Sequence, residues 1–232
     1  LGLVAESDRH VAALDVARHP AARLQRHLRL PAINDSVASI TAERARYDAA
    51  LEALLADPPR LRSPESEFDW TYFFLSYHGE IDRTPNSKLA RLVLACCPSL
   101  AYVAPGAIAP RPARRRIRVG FASRFLRMHS IGKTTRGLVD RLDRRAFEVY
   151  GLCLPPAAPA DPVSRWIAAR CDRWIAVPES LAAARATIAA LDLDVLYYQD
   201  VGMESFGWYL SFSRLAPVQC VSFGHPDTTG VP

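Results

Sequence analysis

Ala, Leu and Arg alternate at helical spacing through residues 1–60. Val11, Leu14 and Arg18 mark one segment, and Ile40, Tyr47, Leu51, Leu54 and Leu55 another. The spacing predicts two or three helices. Thr41 with Glu43 and Arg44 behind it reads as a helix start, and Pro31 and the pair Pro58-Pro59 read as stops. No repeat near the roughly 34-residue period of helical solenoids emerges from these segments. The densest aromatic run, Phe68 to Gly79, leads into a predicted helix from Ser87 to Cys97 and reads as a hydrophobic plug between the helices and the rest of the chain. From Ala104 to Pro112 the chain is rich in Pro, Gly and Ala with little periodicity, the signature of a linker.

Beyond the linker the period changes. Strands are predicted at Ile117 to Ala122, Phe147 to Leu154, Trp174 to Val177, Val195 to Tyr198 and Val218 to Phe223. Helices are predicted between them at Lys133 to Leu142, Asp161 to Ala169, Leu181 to Leu191 and Ser205 to Leu215. Short apolar runs alternating with helices argue for an α/β domain with a Rossmann-like parallel sheet, preceded by an α-helical region. The expected division is a helical preface over 1–103, a linker over 104–115 and a Rossmann-like half-domain over 116–232. In such a sheet the ligand crevice lies outside the carboxyl ends of the strands. That places Ser123 to Gly132, Gln199 to Glu204 and Gly224 to Gly230 around it.

Composition narrows the class. Half of the 232 residues are apolar, enough for a buried core. No stretch approaches the roughly 18 apolar residues of a membrane span, and LGLVAESDRH has no signal-peptide pattern, so a cytoplasmic protein is expected. The five cysteines show no C-x-x-C spacing and read as small buried hydrophobes, with no metal site expected. The net charge of +5 comes from basic residues that are nearly all Arg, which suggests a GC-rich bacterial genome more than a nucleic-acid surface. The basic cluster Arg111 to Arg118 has no interleaved aromatics, so it reads as a solvated linker and nucleic acid is not an expected partner. The chain starts without Met and stops on Gly230-Val231-Pro232, a turn with nothing behind it, which suggests a piece of a longer protein.

Three motifs carry candidate chemistry. Gly132-Lys133-Thr134 suggests a phosphate loop, but that pattern needs Gly where Arg127 stands, and no G-x-G-x-x-G follows the first strand. A nucleoside triphosphatase and a dinucleotide cofactor are therefore disfavoured. His129 lies in the first strand-end loop beside a helix N-terminus, which favours anions. A lone His is most often structural, and this position makes it a catalytic candidate. Gly224-His225-Pro226-Asp227-Thr228-Thr229-Gly230 is either a rigid turn or a ligand cradle, its glycines letting backbone approach and its hydroxyls supplying hydrogen bonds. Asp200-Val201-Gly202-Met203 is a weaker signal of the same kind.

Arg118-Val119-Gly120-Phe121-Ala122-Ser123, the His129 loop, Arg145 to Val149, Leu193 to Leu196, Arg214-Leu215-Ala216-Pro217-Val218-Gln219 and Gly224 to Gly230 occur in this order. The set resembles bacterial members of the O-GlcNAc transferase family (family 41), most specifically in R-L-A-P-V-Q followed by G-H-P-x-T-T-G. Tyr72 to Gly79 and Cys97 to Tyr102 resemble the region preceding the catalytic domain in those members. The resemblance implies the N-terminal half of a GT-B fold, with no metal and no cofactor beyond a UDP-sugar donor. It implies inverting transfer of a sugar, GlcNAc by the family's habit, to Ser or Thr hydroxyls of an acceptor protein or peptide. In that pattern His129 is the active-site His, and Gly224, His225, Pro226, Thr228, Thr229 and Lys133 contact substrate. A hydroxyl attacking an anomeric carbon needs a base or proton relay nearby, in keeping with that placement.

The sequence departs from the pattern at Cys171-Asp172-Arg173, where better-known members place a second His, and at Lys133, where an Arg is expected. The family's nucleotide-gripping second domain is absent from these residues, so the chain alone is expected to transfer nothing. Two alternatives remain: a protein N-glycosyltransferase using a UDP-hexose, and a non-catalytic binding or scaffold domain.

Overall fold

The structure, a computed structural model, describes residues 9–10, 13, 19–109, 116–222, 224–225 and 227–232. The helical segment expected around Val11, Leu14 and Arg18 lies outside the described residues, as do Phe223 and Pro226. The chain divides into two compact units, one of Leu1–Ser99 with Asp227–Pro232 and the other of Leu100–Pro226.

The first unit is helical. Helix α1 (Pro20–Leu28) opens on Pro, whose missing N–H costs nothing in a first turn, and buries Ala21, Leu24 and Leu28. Helix α2 (Val37–Ala56) starts four residues before the expected Thr41. Ser36 accounts for the difference: its hydroxyl accepts the Ser39 amide at 3.1 Å while Ser39 Oγ accepts the Ser36 amide, a reciprocal capping box. Thr41 sits one turn inside, its hydroxyl donating to the Val37 carbonyl at 3.1 Å. Tyr47, Leu51 and Leu54 form the buried stripe of α2, and the helix stops before Pro58-Pro59.

A short α3 (Pro64–Glu67) precedes the aromatic run, in which Phe68, Tyr72 and Leu75 are buried while Phe74 and Tyr77 are exposed. Part of the run is therefore core, and part faces solvent. Helix α4 (Arg83–Cys96) begins a turn earlier than expected, behind Asp82, which accepts from Arg44 at 2.7 Å. Asn86 Nδ2 donates to the Thr228 carbonyl at 2.9 Å, and Gly230, at φ +69°, lies against the Asn86 carbonyl where a Cβ would meet it at 2.2 Å.

The second unit is α/β. Residues 102–104, at the expected entry to the linker, pair with Arg214: the Arg214 amide donates to the Tyr102 carbonyl, and the Ala104 amide to the Arg214 carbonyl, each at 2.8 Å. A short α5 (Pro105–Ile108) follows. The five strands are β1 (Ile117–Ser123), β2 (Phe147–Cys153), β3 (Arg173–Ala176), β4 (Val195–Tyr198) and β5 (Val218–Val221). They form one all-parallel sheet in the order β3-β2-β1-β4-β5. The register aligns Val218, Val195, Val119 and Val149 across four strands, buried at Val119 and Val149 and exposed at Val218 on the edge strand β5.

Helices α6 (Ser130–Arg141), α7 (Pro162–Ala168), α8 (Leu181–Ala189) and α9 (Ser205–Ser211) connect the strands. Val119, Phe121, Val139, Val149, Val163 and Ile167 pack as one core cluster. Helix α9 ends at Ser211, short of the expected Leu215, because Ser213 Oγ donates to the Leu100 carbonyl and Arg214 is held by Tyr102. Of the cysteines, Cys96 and Cys97 are buried as expected, whereas Cys220 is exposed on the edge strand β5. Among the described residues no helix is long and apolar enough to cross a membrane.

Candidate functional site

The strand order reverses at the β1/β4 pair, since the chain builds outward from β1 to β2 and β3 and then returns to β4 and β5 on the other side. In open parallel sheets a ligand binds outside the carboxyl ends of the strands at such a reversal, which makes the loops leaving β1 and β4 the candidate site. The strand ends are tied by buried polar bonds. Ser123, the last residue of β1, donates from its hydroxyl to Asp200 Oδ2 at 3.0 Å and accepts the Phe125 amide at 2.8 Å. Gln199 Oε1 accepts the Thr135 hydroxyl of α6 at 3.0 Å, and the Gln199 carbonyl accepts the Ser222 hydroxyl beyond β5 at 2.7 Å. The Gln199 side-chain Nε2 is buried with no hydrogen-bond partner among the described residues, whereas its backbone amide donates to the Ala122 carbonyl at 3.1 Å.

Two glycines hold the loops against this frame. A Cβ on Gly224 would stand 2.1 Å from the Gln199 carbonyl oxygen and 2.9 Å from Ile131 Cδ1, so the turn after β5 lies directly on the end of β4. A Cβ on Gly132 would stand 2.0 Å from the Arg127 carbonyl oxygen, because the loop after β1 folds back over the first turn of α6. Packing thus explains the Gly of Gly132-Lys133-Thr134 without a phosphate. Gly132→Ala is expected to destabilise the protein by about 2–3 kcal/mol, an overpacking cost, in urea unfolding; a loss under about 0.5 kcal/mol would contradict the close approach.

His129 is the N-cap of α6. Its Nδ1 accepts the Ile131 amide at 3.3 Å, and its ring stacks on Phe125 with centroids 4.4 Å apart. Burial lowers its pKa below the usual imidazole value, and the charge of Arg127 lowers it further. The ring is therefore neutral at pH 7, and with Nδ1 accepting, the proton sits on Nε2. In this arrangement His129 presents an N–H donor, suited to an oxygen carrying negative charge. Taking up a proton at Nε2 would require the other tautomer, which gives up the cap bond. Lys133 lies one turn further along α6 with its side chain exposed, its amide donating to the His129 carbonyl at 3.0 Å.

The chain after β4 adds two carboxyl groups. Glu204 caps α9, accepting the Phe206 amide at 2.9 Å and the Gly207 amide at 2.5 Å. Asp200 is 3 % exposed. Burial, and then the charge of Glu204, push its carboxyl up to about 7, against the opposing Ser123 bond and the charge of Arg124. Glu204 is thus a helix cap, and Asp200 is a group able to hold or release a proton near neutrality.

His129, Gly224, the buried His225 and Lys133 all belong to the α/β unit, with Ile131 joining the His129 and Gly224 loops. Thr228 and Thr229 belong to the helical unit, where their hydroxyls lie near the amides of Gly230 and Val231 at 3.5 and 3.2 Å. Pro226 lies outside the described residues. Asp172, in the segment where the family pattern has its second His, sits at the amino-terminal end of β3. It accepts the Val149 amide at 2.8 Å and pairs with Arg116 at 3.0 Å. Nothing in the sequence setting of Ser123, Gln199 and Thr135 marks them individually; an Asp two residues past an apolar run, as at Asp200, is the one local signal.

These features define a Rossmann-like α/β fold of the kind that forms one half of a GT-B fold, with its topological switch at the β1/β4 pair. A point mutant of the O-GlcNAc transferase of Thermobaculum terrenum has a similar solved structure, at 25% identity and a TM-score of 0.54. The similarity covers 93% of this chain, which spans 40% of that one. No family model matches the chain, and no curated protein matches it. The fold is glycosyltransferase-like.

Proposed function

We propose that the chain is the acceptor-side half of an inverting glycosyltransferase that moves a sugar, GlcNAc by the family resemblance, from a UDP-sugar to Ser or Thr hydroxyls of a protein. The observation that carries this reading is the placement of His129 at the head of α6, on the carboxyl side of the β1/β4 switch, in a chain similar over 93% of its length to an O-GlcNAc transferase. In the proposed cleft, Nε2–H of His129 and the first turn of α6 face substrate oxygens that gain charge as the glycosidic bond to phosphate breaks. The turn at Gly224 and His225 offers backbone to the sugar, Lys133 adds a cation at the rim, and Asp200 keeps a proton in reserve beneath the loop. Thr228, Thr229 and Pro226 remain candidate contacts on the family pattern. The reading requires no metal, and a second Rossmann-like domain grips the uridine and diphosphate.

UDP-sugar turnover by a protein that continues past Pro232 through such a domain, run beside this chain, tests the reading. Turnover onto Ser or Thr in the longer protein and none in the chain alone is the expected result. Transfer of a hexose to Asn would instead identify a protein N-glycosyltransferase, and no turnover with no UDP binding in either would leave a scaffold domain.

A further inference from the structure

A second concavity lies on the other side of the β1 loop from the switch-point crevice, over the carboxyl ends of β2 and β3. It is a half-open cavity of about 190 Å³. Arg124, Arg127 and Arg165 line it, with Trp174, Cys153 and the run of Ala and Pro at 157–160 as its apolar wall. Three guanidinium groups around one small space repel one another, and among the described residues none of them pairs with a carboxylate. Arg124 and Arg127 both lean on the Phe125 ring, 5.5 and 5.8 Å from its centroid, and the Arg127 Nε is buried with no hydrogen-bond partner among the described residues. Arg165 spends one N–H on the Ala160 carbonyl at 2.8 Å and keeps the rest. Of the acids nearby, Asp161 turns its oxygens to backbone amides, Oδ2 to Met128 and Oδ1 to Val163 and Ser164, and Asp200, on which the charge of Arg124 also acts, accepts from Ser123.

The opposite wall is shaped for a flat or branched apolar group. Gly151 on β2 leaves room for the Trp174 indole, which a Cβ there would meet at 2.4 Å, so the ring lies down on the strand beside the cavity. The volume is on the scale of cavities of roughly 150 Å³ that take a benzene ring, enough for one ring or short side chain with its oxyanion. Arginine forks are matched to carboxylate and phosphate oxygens. We propose that this cavity is an anion subsite. It takes one carboxylate or phosphate monoester carried on a small apolar or aromatic body, the oxyanion on Arg124, Arg127 and Arg165 and the body against Trp174. The site stands apart from the transferase reading and is tested without it.

Phenyl phosphate, benzoate and phenol are titrated into the chain at low ionic strength and followed by amide NMR shifts. Phenyl phosphate or benzoate should bind at least tenfold more tightly than phenol, the tighter of the two assigning the oxyanion, with shifts at the loop 124–127 and at Trp174. The pair of substitutions Arg124→Gln and Arg127→Gln should weaken that binding at least tenfold. Arg165→Gln, at an exposed position, provides the same comparison should the pair unfold the protein. Because the Arg127 charge depresses His129, an anion seated here should also move the His129 ring titration upward. Equal binding of phenol and the anions, undiminished anion binding in folded variants, or an anion that leaves the His129 titration unmoved would overturn the proposal.

Discussion

His129→Ala, in a protein that joins this chain to a nucleotide-binding domain, is expected to lower turnover per folded molecule about a hundredfold or more, the usual scale for a positioned proton donor or acceptor. The same change removes the cap of α6, so a stability loss of about 1 kcal/mol accompanies it. His129→Asn separates the two effects. Asn is a good N-cap, and its side-chain oxygen can take the Ile131 amide in place of Nδ1, restoring stability while leaving the crevice without the ring N–H. Low turnover in both variants with stability restored in the Asn variant is the expected pattern. Turnover near the parent level in the Ala variant would reduce His129 to a structural cap. Acid adds a second signature. Protonating the ring puts a proton on Nδ1 and breaks the bond from Ile131, so the contribution of His129 to stability is lost as pH falls below its ordinary imidazole value.

Asp200 is expected to act in the opposite direction. Its carboxyl is raised to about 7, so the folded chain holds that proton more tightly than the unfolded chain does. The associated stability is full below about pH 4 and is lost as pH rises through 7. At about 1.4 kcal/mol per unit, the shift is worth up to about 4 kcal/mol. Asp200→Asn carries no ionisable proton and can still accept from Ser123, so its stability relative to the parent should grow by a few kcal/mol between pH 4 and pH 8. Urea unfolding of both proteins across that range is the measurement. Parallel curves would mean that Asp200 is ionised and well solvated in the fold.

The sheet is legible because its strands are short apolar runs separated by helices, and β4 falls on the residues that the pattern marks. Helix ends are less legible where a side chain outside the periodic stretch decides them: Ser36 starts α2 early, and the pairing of Arg214 with Tyr102 stops α9. The same distinction holds at the site. His129 and Gly224 are visible because loops between a strand and a helix at the carboxyl edge are few. The Ser123–Asp200 bond joins residues 77 positions apart, and no local pattern encodes it. Arg124, Arg127 and Arg165 are hidden for a different reason. In a chain whose basic residues are nearly all Arg, three more do not stand out until the fold leaves them without acids.

The placement of β4 beside β1 also bears on how the protein is made. β1 and β2 can pair as soon as Cys153 is synthesised, but the other edge of β1 has no partner until the chain through Tyr198 emerges. Ribosomes add roughly 5–20 residues per second, so that apolar edge stands open for a few seconds, a template for another nascent chain. During that interval strand β3 adds to the outer edge of β2, which leaves the other edge of β1 unpaired. A slow stretch of translation just before Val195 would lengthen the exposure and favour aggregation, whereas rapid synthesis through β4 would close the sheet and assemble the crevice in the same event.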